Sequence, residues 1–208
     1  MSDWADRRDA LVDQLTSRET LGSETVAAMR AVPRHRFVPE GKRQAAYADT
    51  PLPIGAGQTI SAPHMVAIMT NLLELGEGVR VLEIGTGCGY HAAVTAEVVG
   101  PENVYSVEYH DDLARQARET LARTGYGAVS VRAGDGKRGW PDHAPYDRAY
   151  LTCAAPEFPK AVVDQLAPGG ILLAPLGERR QTLVRAQKRD DGSLARGEHG
   201  HVRFVPLQ

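Results

Sequence analysis

One run of the chain governs the reading of its hydrophobic pattern: Val79, Val81, Leu82 and Ile84 are apolar and mostly β-branched. A nearly continuous run of this kind predicts a strand buried on both faces. Behind it, His91 to Val99 predicts a helix with small residues on its packing side. Asn103–Val107 and Ala128–Arg132 predict the next two strands, Tyr146–Thr152 a fourth, and Ile171–Pro175 the start of a fifth. Phe158–Leu166 predicts a helix, and Pro168-Gly-Gly170 a sharp turn. Gln181–Lys188 and His201–Pro206 alternate in β fashion around Asp190-Asp-Gly-Ser193, which predicts an antiparallel hairpin. The expected class is α/β: a doubly wound, mostly parallel open sheet with an antiparallel C-terminal hairpin.

Residues 1–46 carry a different pattern and predict a helical cap. Asp3 to about Arg18 reads as an amphipathic helix with Trp4, Leu11, Val12 and Leu15 on one side. Ser23–Arg30 reads as a second helix with Ser23 as its N-cap, stopping before Val32-Pro33 because the residue before proline leaves the α region. Arg34–Pro39 reads as an extended basic connector. Residues 47–63 hold three prolines and two glycines, exclude a helix or a central strand, and predict an ordered loop with a functional role. Pro63 opens a helix running to Leu75, and residues 64–208 form the α/β core of a single 208-residue domain.

Composition narrows the classes. With 42% hydrophobic and 24% charged residues the chain is of ordinary soluble, globular type. A net charge of −2 argues against nucleic acid or an anionic membrane as the main partner. No apolar run approaches a membrane span, and the N-terminus has no secretory pattern, so a cytoplasmic location is expected. Cys88 and Cys153 fall at the ends of neighbouring strands and are expected as free packing thiols. His199 and His201 lack further ligands at metal spacing, so no metal is expected.

The candidate chemistry begins after the first strand. Gly85, Gly87 and Gly89 alternate, and Glu83 precedes them, giving Glu-x-Gly-x-Gly-x-Gly. An ordinary tight strand–helix turn would use the same glycines. A dinucleotide site would show Gly-x-Gly-x-x-Gly, and a carboxylate at the turn repels a pyrophosphate. S-adenosylmethionine, with its sulfonium and ammonium, suits that carboxylate better. Glu108 ends the next strand about 20 residues on, where an acid accepts from ribose hydroxyls. Asp135, in the loop Gly134-Asp-Gly136 after the third strand, is a candidate for the adenine amine. Each acid alone is commonly a solvated strand-end residue; three at successive strand ends point to one ligand.

These residues resemble the protein-L-isoaspartate O-methyltransferases, a branch of the Rossmann-like class I S-adenosylmethionine-dependent methyltransferases. The signature Glu83–Tyr90 is shared widely and specifies the cofactor. The loop Gly57-Gln-Thr-Ile-Ser-Ala-Pro63 and the run Thr152-Cys-Ala-Ala-Pro156 are particular to the isoaspartyl branch, and Arg34-His-Arg-Phe-Val-Pro39 and Arg203-Phe-Val-Pro-Leu207 extend the likeness. The resemblance implies a cofactor site of Gln58, Thr59, Ile60, Ser61, His64, Glu83, Gly85, Thr86, Gly87, Gly89, Glu108, Asp135 and Gly136. It implies Ser61 as the active-site residue and Ile54, Thr152, Ala154, Ala155 and Pro156 against the substrate. The end at Leu207-Gln208 leaves it open how completely the C-terminal residues close the site.

The implied reaction moves a methyl group from S-adenosylmethionine to the free α-carboxylate of an isoaspartyl residue, leaving S-adenosylhomocysteine. The partner is then a damaged peptide or protein, and a monomer suffices. No base is required, because a carboxylate with a reference pKa near 4 is already ionised at pH 7. Ser61 is expected to position that carboxylate: no Gly-x-Ser-x-Gly elbow surrounds it. Two alternatives stay open. One is methyl transfer to another carboxylate, such as an aspartate in a modified peptide or a small acid. The other is cofactor binding without catalysis. A dehydrogenase is disfavoured by the glycine spacing and Glu83.

Overall fold

The computed structural model describes residues 4–208. Helix α1 (Trp4–Thr16) buries Leu11, Val12 and Leu15, the stripe its pattern predicts; the expected start at Asp3 lies outside the described residues. Helix α2 (Ser23–Ala31) is capped by Gly22 rather than Ser23. The Ser23 hydroxyl donates to Glu24 instead, and the Gly22 amide is taken by Asn71 Oδ1 at 2.7 Å.

The basic connector is not extended. Arg34–Arg36 forms a 3₁₀ turn, and Arg34 is 0% exposed. Its Nε donates to the Ala46 carbonyl at 2.9 Å, and its guanidinium lies 4.8 Å from the Tyr90 ring centroid. A cation–π contact of this kind tolerates a buried Arg where a bare charge would not be tolerated. The proline-rich loop is also more ordered than expected: it folds into a two-stranded hairpin, β1 (Leu52–Gly55) with β2 (Gln58–Ile60), separate from the main sheet. Ala56 and Gly57 turn it through positive φ.

Helix α3 (Pro63–Leu72) starts on its proline and leads into β3 (Val81–Ile84), buried along its whole length. There follow α4 (Tyr90–Val99), β4 (Val104–Glu108), α5 (Asp111–Arg123), β5 (Ser130–Ala133), β6 (Tyr146–Leu151), α6 (Lys160–Asp164), β7 (Leu166–Leu176), β8 (Gln181–Lys188) and β9 (Leu194–Val202). The sheet order is β5-β4-β3-β6-β7-β8-β9. All pairings from β5 through β7 are parallel, and β8 and β9 add antiparallel. The strand order reverses between β3 and β4 on one side and β6 on the other, so a crevice opens at the carboxyl ends of these strands.

Two expected boundaries shift. The turn at Pro168–Gly170 is absorbed into β7 as a break in register against β6. The second arm of the hairpin is Leu194–Val202, not His201–Pro206, because β9 pairs from Leu194 with Lys188 onward. Residues 203–208 therefore leave the sheet and return along its carboxyl edge: the Ala154 amide donates to Val205 O at 2.8 Å, and the Leu207 amide to Ala154 O at 2.7 Å.

Leu11, Leu15 and Met29 of the cap share one apolar cluster with Val81 of β3 and Ala92 and Val94 of α4. Cap and sheet should therefore unfold together. Leu15→Ala is expected to cost about 2–5 kcal/mol and to lower a single cooperative thermal transition; calorimetry showing two transitions would contradict this.

Candidate active site

The end of β3 turns into α4 through glycines in the left-handed region, and that backbone choice creates the site. Gly85 has φ +97°, and a Cβ there would stand 2.3 Å from Thr152 Oγ1. Thr152 holds that position by donating to the Gly85 carbonyl at 2.5 Å. Gly87 has φ +55°, and its amide donates to Glu108 Oε2 at 2.7 Å. The other oxygen of Glu108 accepts from the His110 amide at 3.0 Å. Gly89 caps α4 and lets Leu121 approach, and it supports the turn from outside the cleft lining.

A half-open cleft with polar and apolar walls lies above this turn, the kind of concavity that small-molecule sites use. Its floor is Gly85, Thr86, Gly87 and Glu108; its roof is Gln58, Thr59, Ile60 and Ser61; Gly136 and Thr152 close the sides. These ten expected residues do come together. At Gly136 a Cβ would meet Ile84 Cγ2 at 2.4 Å, which keeps that wall thin. Gln58 approaches His110, their Nε2 atoms 3.4 Å apart. The cleft combines carboxylate and hydroxyl acceptors with apolar walls from Ile84, Val107 and Val66, a fit for a ribosyl sulfonium compound.

Several residues escaped sequence reasoning. Tyr109, 54% exposed, stands at the mouth beside Glu108, an aromatic face in a place where pattern gives no signal. Cys88 and Cys153 both line the cleft as free thiols. Burial pushes them up to about 11 and about 12, so both stay protonated. His91 also borders the cleft, and burial pushes it down to about 3, so it is neutral. Val205 to Gln208 form one wall of the cleft.

Other expected residues lie elsewhere. Glu83 is 0% exposed and absent from the cleft lining, because it shares the Val81 face of β3, toward α4. Its carboxyl accepts from Ser106 Oγ and, at 2.9 Å, from Tyr150 OH. Burial pushes this carboxyl up to about 8, the nearby Glu108 adding to the rise while the two hydroxyls pull it back. Direct contact with a cation is therefore replaced by a buried network. Asp135 caps its own turn, accepting from the Lys137 amide at 2.9 Å, and does not line the cleft. Ile54 is buried and borders a separate cavity with Gly87 and Cys88. Ala154 and Ala155 are buried, with their backbones bonded to Val205 and Leu207 and to Pro175 and Gly177, and neither lines the cleft. Pro156 is exposed and outside every described cavity wall.

A second cavity adjoins the first and shares Thr59, Ser61, Thr152 and Val205 with it. His64 belongs here, not to the first cleft. Asp49 Oδ1 fixes it, accepting from its backbone amide at 2.9 Å and lying 2.8 Å from its Nδ1. Arg203 and His201 line the same groove. Among the described residues no three metal-ligating side chains cluster, and no helix is long and apolar enough to cross a membrane.

Comparison with known proteins agrees with this architecture. The family model "Protein-L-isoaspartate(D-aspartate) O-methyltransferase (PCMT)" matches residues 6–208. The chain is 51% identical over 207 residues to protein-L-isoaspartate O-methyltransferase 2 of Archaeoglobus fulgidus, covering 99% of this chain and 94% of that one. A solved protein-L-isoaspartate O-methyltransferase superposes with TM-score 0.88 at 30% identity, over 97% of this chain and 66% of that longer one. A Plasmodium falciparum structure of the same description, in complex with S-adenosyl-L-homocysteine, gives TM-score 0.84 at 26% identity, covering 97% and 98%.

Two outcomes follow from the turn and the buried acid. Gly85→Ala meets both a left-handed φ and the Thr152 hydroxyl, so binding of S-adenosylhomocysteine should weaken at least about tenfold with a lowered Tm, checked by calorimetry. Glu83 is raised in the fold above its unfolded value, so its ionisation opposes folding as pH rises from the unfolded carboxylate range toward about 8. Chemical denaturation of the ligand-free protein from pH 5 to 9 should show wild type losing stability relative to Glu83→Gln as pH rises.

Proposed function

The chain belongs to the protein-L-isoaspartate(D-aspartate) O-methyltransferase family, and we propose which of its residues carry that family's reaction. It transfers a methyl group from S-adenosylmethionine to the free α-carboxylate of L-isoaspartyl residues in damaged proteins. The ester then collapses to a succinimide that can reopen as aspartate, which makes the activity one of repair.

The supporting observation is that two cavities meet at Ser61. The first, over the glycine turn, has the lining to hold the cofactor: Glu108 would accept from its hydroxyls, Thr86 and Gly87 would border it from the floor, and Ile84, Gly136 and Tyr109 would flank its base. Bound there, S-adenosylmethionine supplies an electrophilic methyl group on a sulfonium. The second cavity receives the peptide, and Arg203, His64 and His201 give it donors suited to an anion. The shared wall of Thr59, Ser61, Thr152 and Val205 is where the carboxylate meets the methyl group.

The residues have no proton to remove, since the acceptor is ionised at neutral pH. Ser61 donates a hydrogen bond to the carboxylate and orients one oxygen toward the first cavity. Asp49 holds the His64 ring beside the incoming peptide. The β1–β2 hairpin and residues 205–208 exclude water from both sides, so alignment of the reacting atoms supplies most of the rate. Sequence tolerance follows from the groove, which meets the peptide with few side chains of strong specificity. In keeping with a net charge of −2 and free thiols, the chain acts as a cytoplasmic monomer with neither nucleic-acid nor membrane partners.

Labelled methyl transfer to a peptide pair differing only in α or β aspartyl linkage tests the substrate: incorporation is expected into the isoaspartyl member alone. Ser61→Ala should lower kcat/KM on that peptide by roughly 10- to 100-fold, the effect of losing one positioned donor. Unchanged kcat and KM would remove Ser61 from the mechanism.

A further inference from the structure

Glu83 has no role in the mechanism above, yet it is the most deeply placed acid near the cleft, and a continuous run of hydroxyls joins it to the lining. Thr86, on the cleft floor, has its Oγ1 2.5 Å from Ser106 Oγ. Ser106 donates to Glu83 Oε2, Tyr150 donates to Oε1 at 2.9 Å, and Thr95 Oγ1 closes the far end, 3.0 Å from Tyr150 OH. Glu83, Ser106, Tyr150 and Thr95 are 0% exposed, so solvent can reach the run only at Thr86, which borders the cleft.

Hydrogen counting gives the branch from Glu83 Oε2 through Ser106 to Thr86 two orientations. With Glu83 ionised, both carboxyl oxygens accept; Ser106 spends its hydrogen on Glu83, and Thr86 must donate to Ser106. Thr86 then turns lone pairs toward the cleft. With Glu83 protonated on Oε2, it donates to Ser106, Ser106 donates to Thr86, and the Thr86 hydrogen is released toward the cleft. The first state suits a cation in the cleft, the second a neutral ligand.

We propose that Glu83 is a positioning residue that distinguishes methyl donor from product through Ser106 and Thr86: it is ionised while the sulfonium occupies the cleft and takes up one proton from solvent once a neutral thioether replaces it. This rests on the cofactor reading above. Methyl transfer itself moves no proton; the proton exchange accompanies donor binding (release) and thioether formation (uptake), so charge balances over a turnover.

The neighbouring groups leave this role to Glu83. Ser106 on β4 and Thr95 on α4 do not titrate in this range. Tyr150 on β6, Cys88 in the turn and Cys153 after β6 are held protonated by burial, and His91 on α4, whose ring centroid is 4.5 Å from that of Tyr150, is held neutral. Glu108 on β4 adds a repelling carboxylate, which burial of Glu83 reinforces.

Calorimetric titration of the purified protein with S-adenosylmethionine and, separately, with S-adenosylhomocysteine tests this, in buffers of different ionisation enthalpy from pH 6.5 to 9. Near neutral pH the donor is expected to release up to one proton more than the product. The donor-to-product affinity ratio should rise by up to tenfold per pH unit toward about pH 8 and level off above it, because the cation favours the ionised carboxyl. Glu83→Gln removes the part of both effects that does not come from the ligands' own amines. Ser106→Ala keeps the carboxyl and its Tyr150 bond but cuts the path to Thr86, and it should shrink the proton difference even if Glu83→Gln fails to fold. Equal proton counts for the two ligands, or a difference unchanged in these variants, overturns the proposal while the cofactor reading stands. Failure of both ligands to bind overturns the cofactor reading and the proposal with it.

Discussion

The bond from the Gly87 amide to the Glu108 carboxylate ties the end of β3 to the end of β4, and the site is built out from that tie. Parallel strands deliver their carboxyl ends to one edge but do not fix the loops that leave them. Here one carboxylate collects two backbone amides, from Gly87 and His110, and so sets both loops at once. Thr152 does the corresponding work from β6 by bonding the Gly85 carbonyl. Remove either partner and a buried polar group is left unpaired, at a cost of about 1–3 kcal/mol. The geometry of the cleft floor is thus held by the same bonds that stabilise the fold there.

Glu108 was legible as a cleft residue because its signal is local: a residue that ends an apolar run sits at a strand end, and the strand ends of a parallel sheet face one crevice. Ser61 came from the likeness of its loop to a known family, since the loop's own pattern predicts no strand of the main sheet. Gly85 and Gly87 were again legible locally, since a turn in the left-handed region favours glycine. Glu83 was misplaced by one step of the same logic. It lies inside the strand, where successive side chains take opposite faces, and the run Val79–Ile84 is apolar on both sides. Nothing local says which face opens to the ligand. Asp135 differs otherwise: a short acid one residue before a tight turn makes a good cap, and here one of its oxygens accepts from the Lys137 amide while the neighbouring Gly136 borders the cleft.

The C-terminal segment depended on a register the sequence does not carry. Alternation in residues 181–206 predicts a hairpin correctly, yet where β9 begins decides whether residues 203–208 lie in the sheet or leave it. Pairing from Leu194 frees them to bond Ala154 and to wall the cleft. That one shift also explains how the small residues Ala154 and Ala155 come to be engaged by the chain itself. Their backbone groups are already taken, and smallness there serves the close approach of the chain's own end. Arg34 shows a different departure: a basic segment that reads as extended folds into a 3₁₀ turn, and the Tyr90 ring makes burial of its guanidinium tolerable.

Methyl transfer from a sulfonium to a carboxylate turns two opposite charges into none. Excluding water therefore favours the step, because the charged reactants lose more solvation than the neutral products. The same exclusion burdens any acid built into the wall. The chain answers with two environments for two acids. Glu108 sits at the edge of the cleft with backbone amides on both oxygens, a setting that satisfies a carboxylate. Glu83 sits behind the strand, where burial raises it to about 8, so that neutral pH leaves it largely protonated in the ligand-free protein. In the roles proposed for them, one acid would offer fixed acceptors to the ligand, and the other would hold or yield a proton as the charge in front of it changes. Environment, rather than residue type, separates the two roles.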